Sequence, residues 1–379
     1  MKILWLVFLP ALGYQCLAIV ASLRQILRKK PSRQFQPGVS VLKPVRGIDP
    51  EMLAALRSQV VQDYPSYEVL FGVHDEHDAS LPEIRKLQEE FPTHAIRVIV
   101  GHESGLNGKV GILKGLARHA RYPVWVVNDS DIRVTPGYLN EVVAPLEDPQ
   151  IGVVTCLYRA RPHALPAVWE ALGIATDFMP STLVAPLVGV REFGLGSTLA
   201  FRAQDLQQAG GFTALEDYLA DDYQLARRIT LLGKRALLST YVVETSLGDI
   251  TWRGVWDHQL RWGRTIRMSK GGGYAGLPIT HAGLWILIAL LLQLWWVAAV
   301  LAVLRSLMAL LTGWFVLRSR VALGLFPLSL LWDLYAFAVW VASYRSNLVR
   351  WRNRALRVAP DGRIESTGAE TSSDDSARH

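Results

Sequence analysis

The residues best suited to chemistry are aspartates in three short acidic groups. Asp129 and Asp131, one residue apart, follow an apolar stretch that is predicted to be a strand. Two carboxylates at a strand end can share a divalent cation, because Mg²⁺ and Mn²⁺ prefer oxygen ligands and are often held by one or two carboxylates plus substrate phosphates. The pair therefore indicates a metal and diphosphate site, and a solvated turn is the alternative interpretation.

The other two acidic groups fit other steps of a nucleotide-dependent transfer. Asp75 closes a predicted strand, where a carboxylate can hydrogen-bond a ribose or a base edge. A solvated acid within the run 75–78 is the alternative. Asp221 and Asp222 stand at the start of a predicted helix, where one of them could be a general base toward an acceptor hydroxyl. On the local sequence alone, capping of that helix is the favoured alternative.

Two lysines could contact the phosphates of such a nucleotide. Lys43 ends the first predicted strand, at the same predicted sheet edge as Asp75 and Asp129. Lys109 lies with Asn107 in the segment GLNGKVG, and a basic loop without a ligand is the alternative there.

The motif HQLRW, residues 258–262, lies on a predicted basic helix just before an apolar stretch. Arg261 could bind a phosphate through two parallel hydrogen bonds, and Trp262 could stack on a sugar or close the site. The alternative is a basic helix that touches anionic lipid. That alternative draws on four basic residues: Arg261, Arg264, Arg267 and Lys270.

Short apolar strands that alternate with helices are predicted to position these groups. The predicted strands are 39–43, 67–73, 95–100 and 124–128, and the predicted helices between them are 50–62, 80–91 and 109–120. This alternation indicates a parallel sheet with right-handed crossovers, and ligands bind beyond the carboxyl ends of such strands. The less regular second half is predicted to contain a strand at 194–202 and helices at 204–209, 218–232 and 251–268.

The composition indicates a soluble block between membrane segments. Half of the 379 residues are hydrophobic, 19% are charged, the net charge is +7 and there are two cysteines. These values exclude a disordered chain, a disulfide scaffold and a zinc cluster of the finger type. Three uncharged or nearly uncharged stretches are predicted to cross the membrane: 3–23, 282–304 and 321–344.

Basic clusters at 24–33 and 345–357 favour a cytosolic position for the soluble part. The stretch 306–317 is predicted to be re-entrant or interfacial. Asp333, inside the last span, is either a functional carboxylate or a packing partner for an arginine.

The predicted organisation has four parts. They are an anchor with a basic flank (1–34), a cytosolic catalytic domain (35–280), a membrane region (281–345), and a basic and then disordered tail (346–379).

Five motifs resemble the inverting, family-2-type nucleotide-sugar glycosyltransferases with a GT-A fold. The resemblance is to the ceramide glucosyltransferase-like group in particular, which includes bacterial hopanoid-associated members, and it covers roughly 35–275. The pairing of KPVRGIDP with DYPSYEVL is its specific part. The motifs are KPVRGIDP (43–50), QDYPSYEVLFGVHDEHD (62–78), NDSDIRVTPGYL (128–139), ADDY (220–223) and HQLRW (258–262).

The resemblance implies an α/β GT-A domain with a mainly parallel sheet and transmembrane helices at both ends. It implies that Asp222 is the catalytic base with Asp221 beside it, and that Asp129 and Asp131 hold Mg²⁺ or Mn²⁺. His258 replaces the Gln or Arg of the family's (Q/R)xxRW motif, and with Trp262 it is expected at the acceptor or in site closure. The residues expected to bind the UDP-sugar are Lys43, Asp75, Lys109, Asp129, Arg261 and Trp262, with Asp75 as the uridine contact.

The expected function is transfer of one sugar, of the glucose or N-acetylglucosamine type, from a UDP-sugar to a lipid hydroxyl with inversion. Ceramide or a hopanoid polyol is the expected acceptor, and the enzyme is expected in the cytoplasmic membrane. A processive polysaccharide synthase and a non-enzymatic basic membrane scaffold are the alternatives. A nucleic-acid partner is not expected, because much of the positive charge flanks the apolar stretches.

Overall fold

The computed structural model describes residues 4–32, 34–48, 51–101, 105–351 and 354–367. Within these residues, one large sheet forms the centre of an α/β domain. Its strands are β1 (Val39–Pro44), β2 (Tyr67–Val73), β3 (Ile96–Val100), β4 (Val124–Val127), β5 (Ile132–Arg133), β6 (Ile151–Arg161), β7 (Leu199–Arg202) and β8 (Arg235–Ser246). They lie side by side in the order β3-β2-β1-β4-β7-β6-β8-β5.

The first half of the sheet is parallel, as the sequence predicts. β1 pairs in parallel with β2 and β4, and β2 pairs in parallel with β3. β7 runs antiparallel between β4 and β6, and β6 and β8 pair in parallel along most of their lengths. The predicted α/β class with a mainly parallel sheet is confirmed. The long strands β6 and β8 were not among the predicted elements.

The helices fill the connections and both faces of the sheet. They are α1 (Leu9–Leu27), α2 (Met52–Val60), α3 (Leu81–Glu90), α4 (Gly108–Ala117), α5 (Tyr138–Val143), α6 (Leu165–Gly173), α7 (Met179–Val184), α8 (Ala203–Gln208), α9 (Asp221–Thr230), α10 (Trp252–Ser269), α11 (Gly271–Ala275), α12 (Ala282–Leu291), α13 (Trp295–Leu310), α14 (Arg320–Leu325) and α15 (Ser329–Ser343). Asp49 and Pro50, the predicted start of α2, lie outside the described residues.

The sheet is buried on both faces. Successive residues of β1 enter different cores, since Val41 packs with the residues of α2 and α3 and Leu42 packs with those of α4. Side chains alternate across a strand, so an unbroken apolar run such as this one has to be covered on both sides.

Four helical stretches in the described part of the chain are long and apolar enough to cross a membrane. They are Leu4–Leu27, Leu165–Val188, Trp295–Val316 and Arg320–Ser343, and the bent pair Gly271–Ile279 and Ala282–Leu291 would make a fifth if it is one span. The stretch at 165–188 was not predicted. It is also the most enclosed, with 61% of its apolar window buried by the rest of the protein.

The predicted single span 282–304 is wrong, because α12 ends at Leu291 and α13 begins at Trp295. Gln293 between them has a φ of 57°, which a continuous right-handed helix does not allow. The stretch 306–317 is not separate either. α13 continues directly into the π-helical segment Leu311–Val316.

Asp333 is a packing partner for an arginine, one of the two alternatives considered above. Its carboxylate accepts hydrogen bonds from Nε (2.9 Å) and Nη2 (2.6 Å) of Arg305, and both side chains are buried. Arg305 also donates to the carbonyl oxygen of Thr176 at 2.6 Å. Thr176 lies in the π-helical segment Ile174–Phe178, so this ion pair joins α13 and α15 to the 165–188 stretch.

The tail also departs from the prediction of disorder. β9 (Leu348–Trp351), β10 (Arg354–Val358) and β11 (Ile364–Thr367) form a second, antiparallel sheet, and residues 368–379 lie outside the described residues.

Candidate active site

Lys43 and Asp129 meet because their strands are parallel neighbours. β1 and β4 pair from Val39 with Val124, so both strands end at the same edge of the sheet. The buried Lys43 Nζ donates to Oδ1 of Asn128 at 2.7 Å and to the carbonyl oxygen of Asp129 at 2.5 Å. Burial lowers the pKa of Lys43 to about 7 against the opposing charges of Asp131 and Asp129.

Lys109 joins two of the three acidic groups. Its position is set by Asn107, whose side-chain oxygen accepts the backbone N–H of Lys109 (3.1 Å) and so caps α4. Lys109 Nζ lies 2.8 Å from Oδ1 of Asp129 and 3.0 Å from Oδ2 of Asp221. Burial alone would lower the pKa of this ammonium. The charges of the nearby aspartates outweigh burial, so its pKa is raised and Lys109 stays charged.

Asp222 is held by two backbone N–H groups. Gly196 N donates to its Oδ2 at 2.8 Å, and Tyr223 N donates to its Oδ1 at 2.7 Å. Gly196 also accepts a 3.1 Å hydrogen bond from the backbone N–H of Asp129 through its carbonyl oxygen. One glycine thus connects Asp129 with Asp222, although they lie 93 positions apart in the chain (222 − 129).

Electrostatics favour Asp222 as a proton acceptor. Burial, followed by the charge of Asp221, raises the pKa of Asp222 to about 6, and Lys109 opposes the shift. A general base works best with a pKa near the working pH. The capping alternative is weaker for this side chain, because one of its oxygens is committed to Gly196 outside the helix.

Asp131 and Asp129 have carboxylate oxygens that could serve as ligands of a cation at an open site. The Thr245 hydroxyl donates to Oδ2 of Asp131, and burial, followed by the charge of Asp129, raises the pKa of Asp131 to about 6. The two carboxylates repel each other, and a bound cation would reduce that repulsion. In the described part of the chain, no group of three or more His, Cys, Asp or Glu residues is placed to hold a metal ion. Two carboxylates are fewer ligands than a closed structural site needs, whereas Mg²⁺ or Mn²⁺ that also binds substrate phosphates is often held by one or two carboxylates.

The HQLRW motif lies on α10 and is fixed from α6. Oε1 of the fully buried Glu170 is 2.6 Å from His258 Nδ1 and accepts from Gln259 Nε2 at 2.8 Å. The His258 ring packs on Trp262 with 4.7 Å between centroids. Trp262 in turn packs on Phe178 at 5.2 Å. His258 and Trp262 thus form one cluster with the 165–188 stretch.

Arg261 lies within the electrostatic influence of Glu170 and Asp129. Burial lowers the pKa of its guanidinium, and the charges of Glu170 and Asp129 partly offset that effect. Tyr158 of β6 packs near Phe178 with 6.2 Å between ring centroids, and burial raises the pKa of its phenol well above the usual range. Four carboxylates raise it further: those of Glu170, Asp131, Asp222 and Asp129.

Asp75 is the predicted site residue that stands apart. It follows β2, and its side chain is 54% exposed. Its Oδ1 accepts the backbone N–H of His77 at 2.8 Å, which is a local turn contact. β2 lies two strands from β4, so this carboxylate is expected about 10 Å along the sheet edge from Asp129.

Sequence reasoning missed Gly196, Thr245 and Glu170. Gly196 and Thr245 act through a backbone N–H and a common hydroxyl, and neither leaves a recognisable pattern. Glu170 did carry a signal, because it is an acid inside an apolar stretch of helical length. The same reasoning that drew attention to Asp333 applies to it.

Comparisons with known proteins bear on the family and the fold of the chain. The sequence profile described as glycosyl transferase family 21 matches residues 3–364. The chain is 29% identical over 229 residues to ceramide glucosyltransferase 1 of Caenorhabditis elegans, which covers 60% of this chain and 49% of that protein. It is 30% identical over 163 residues to the ceramide glucosyltransferase of Komagataella phaffii, which covers 37% of this chain and 32% of that protein. The chain thus spans about half of the first relative's length.

A solved structure shares the fold. The mannosyltransferase PcManGT from Pyrobaculum calidifontis, in complex with GDP-Man and Mn²⁺, superposes with a TM-score of 0.55 at 22% identity. The superposition covers 89% of this chain and 96% of that one.

Proposed function

Because the chain belongs to glycosyl transferase family 21, we propose that it transfers a single hexose from a UDP-sugar to the hydroxyl of a membrane lipid. The proposed sugar is of the glucose or N-acetylglucosamine type, and the acceptor is a ceramide or a hopanoid polyol. The observation that carries the proposal is the convergence of Lys109, Asp129 and Asp221 with Asp222 around Gly196. The ceramide glucosyltransferase relatives support the choice of a lipid acceptor.

In this proposal Asp222 is the general base. Each of its oxygens accepts one backbone N–H and keeps a lone pair for the acceptor's proton. The acceptor oxygen forms a bond to the anomeric carbon as its proton passes to Asp222. The bond from that carbon to the diphosphate oxygen breaks, and its electron pair leaves with UDP. Attack opposite the leaving group inverts the configuration at the anomeric carbon.

The cationic side of the site suits the departing diphosphate. Lys109 is already charged and lies between Asp129 and Asp221, and Arg261 can bind phosphate oxygens in a bidentate manner. Asp129 and Asp131 would hold Mg²⁺ or Mn²⁺, and PcManGT, with the same fold, was solved with Mn²⁺. Such an ion, when bound, neutralises charge on the leaving group. Lys43 would keep Asp129 in place, and Asp75 would contact the uridine.

The apolar helices suggest where the reaction takes place. His258 and Trp262 pack against the 165–188 stretch, which contacts α13 and α15 through Arg305. We propose that a cytosolic catalytic domain, residues 35–280, rests on the cytoplasmic membrane with this cluster toward the lipid. The lipid hydroxyl would then reach Asp222 from the membrane side.

The test is transfer of radiolabelled sugar from UDP-glucose or UDP-N-acetylglucosamine by the purified chain in liposomes. The liposomes contain ceramide, a hopanoid polyol or neither, with Mg²⁺, Mn²⁺ or EDTA. One labelled sugar per lipid, with release of UDP, is the expected result. A ladder of longer products would indicate the processive alternative. No UDP release with any acceptor would overturn the proposal.

A further inference from the structure

The second sheet reaches the segment that precedes the two catalytic-site aspartates. The backbone N–H of Ile364 donates to the carbonyl oxygen of Asp217 at 2.7 Å. The N–H of Leu219 donates to the carbonyl oxygen of Gly362 at 3.3 Å. Tyr218 and Arg363 therefore face each other as an antiparallel bridge, with one hydrogen bond on either side.

Side chains strengthen this contact. Arg363 Nε donates to the Tyr218 hydroxyl at 3.0 Å, and the guanidinium carbon lies 5.5 Å from the centre of the Tyr218 ring. Leu219 packs on a small apolar cluster of Met268, Val349 and Val358. Tyr218 and Leu219 are thus held by backbone and side chains together.

The same segment touches the candidate site on its other side. Asn107 donates through Nδ2 to the carbonyl oxygen of Tyr218 at 2.7 Å, and its backbone N–H donates to that of Glu216 at 2.8 Å. Asn107 is the residue that caps α4 and so sets the position of Lys109. α9 begins at Asp221, two residues after Leu219. The segment 216–220 therefore lies between the second sheet and the charged centre.

The second sheet is itself fixed to the helix that carries HQLRW. Arg264 Nη1 donates to the carbonyl oxygen of Leu348 at 2.6 Å, and Arg267 Nη2 donates to Oδ1 of Asn347 at 2.5 Å. These arginines on α10 thus have partners in or next to the second sheet. One sheet joins α10 to the start of α9.

We propose that residues 362–364 are a positioning element for Asp221 and Asp222. They add a short strand to segment 217–219 and so fix where α9 begins. The inference rests on the proposed function, because it assigns these residues an effect on transfer through the base. They touch neither substrate nor the reacting atoms in this proposal.

The first test uses two prolines one position apart. Ile364→Pro removes the N–H that bonds Asp217, since proline has no backbone donor. Glu365→Pro is the matched control. In the pairing of β10 with β11, Arg357 faces Ser366 and the next residue, Val358, faces Ile364. Glu365 is therefore left without a partner as an exposed bulge residue, a position where proline is tolerated.

We expect Ile364→Pro to lower kcat by about 10²-fold, the usual effect of a small misplacement of a catalytic group. The KM for the UDP-sugar is expected to change little, whereas the thermal unfolding midpoint should fall, because Ile364 is buried. Glu365→Pro is expected to stay near wild type. Wild-type kcat in Ile364→Pro, or an equal loss in both variants, would overturn the inference.

The second test asks whether a disulfide bond can take over the role of residues 362–364 in positioning Asp221 and Asp222. Residues that face each other between two ladder hydrogen bonds have Cα atoms about 4.5 Å apart, which suits a disulfide. The variant is Tyr218→Cys with Arg363→Cys in the Ile364→Pro chain, so that the disulfide has to replace the lost backbone bond, and it carries Cys16→Ser because Cys16 is an exposed free thiol. A kcat that is low when the pair is reduced and returns on oxidation supports positioning. The same kcat in both states contradicts it.

These outcomes are separable from failure of the proposed function. If the wild type transfers no sugar to any lipid, the proposed function fails before the variants are compared. If the wild type transfers sugar and the variants match it, only the inference fails.

Discussion

The backbone N–H of Gly196 donates a 2.8 Å hydrogen bond to Oδ2 of Asp222. A Cβ on Gly196 would lie 2.7 Å from Oδ2 of Asp129 and 3.5 Å from Oδ2 of Asp222. At the first distance the Asp129 carboxylate would have to shift. The present position of that carboxylate beside Asp222 thus depends on glycine at residue 196.

We predict that Gly196→Ala lowers kcat/KM by about 10²-fold, because the methyl group pushes the two acids apart. Gly272→Ala is the control, since nothing lies within 4 Å of the Cβ it would add. Steady-state kinetics with a varied UDP-sugar measure both. Full activity in Gly196→Ala would mean that Asp129 and Asp222 do not work at this separation.

Replacement of the proposed base should separate binding from turnover. Asp222→Asn keeps the size of the side chain but cannot accept the acceptor's proton, so we expect kcat to fall about 10²–10⁴-fold. Binding of the UDP-sugar, measured by calorimetry, should remain close to wild type. Asp148→Asn is a control before β6, where the side chain pairs with Arg235 and accepts the backbone N–H of Gln150. Retained turnover in Asp222→Asn would refute the base assignment.

The activity should depend on pH near 6. Burial raises the pKa of Asp222 to about 6, so the ionised form that accepts a proton dominates above that pH and is lost below it. Asp131, whose pKa is also raised to about 6, changes in the same direction. We expect kcat/KM to fall as the pH decreases through about 6. A profile that stays flat there would contradict the raised pKa of Asp222 or its role.

Glu170 should matter as a hydrogen-bond acceptor for α10. Glu170→Leu removes the acceptor of both His258 and Gln259, and we expect kcat/KM to fall by about 10²-fold as Arg261 and Trp262 shift. Glu170→Gln retains one acceptor oxygen and should be affected less. Steady-state kinetics and tryptophan fluorescence measure whether Glu170→Leu is affected more strongly than Glu170→Gln. An equally active Glu170→Leu would show that the HQLRW motif does not need this contact.

The effects on stability of replacing Arg305 and Asp333, the buried ion pair, should be strongly coupled. Arg305→Met leaves the carboxylate of Asp333 buried without its cation, which costs about 3–5 kcal/mol of stability. Arg305→Met combined with Asp333→Leu should recover much of that loss. Thermal unfolding in detergent is measured for the wild type, for each single variant and for the double variant. A double variant as unstable as the sum of the single ones would mean that the pair is not coupled.

The first half of the fold was predictable from sequence because its strands are unbroken apolar runs. β2 begins and ends where the sequence indicates, at Tyr67 and Val73. β8 was not predictable in this way, since it begins at Arg235 and carries Glu244 near its end, with partly exposed residues along its length.

The acids of the site could be named from sequence, but their arrangement could not. Asp129 and Asp222 carry recognisable spacing, whereas Gly196 brings them together through backbone atoms. The broken helix at Gln293 was missed because the apolar run continues through it. The strand at Ile364–Thr367 was missed because its composition is polar and its partners lie far away in sequence.

The contact between Arg305 and the carbonyl oxygen of Thr176 has a mechanical consequence. A domain joined to its apolar helices by flexible linkers would rock, and the height of its catalytic centre would vary with each fluctuation. Here the stretch that packs against His258 and Trp262 is bonded to two other helices, so we expect the catalytic domain to keep a fixed position relative to those helices. In the proposed function, the acceptor hydroxyl of a lipid would then have to reach Asp222 at a fixed height above the membrane. The length of the lipid head group would therefore help to decide which lipids can be acceptors.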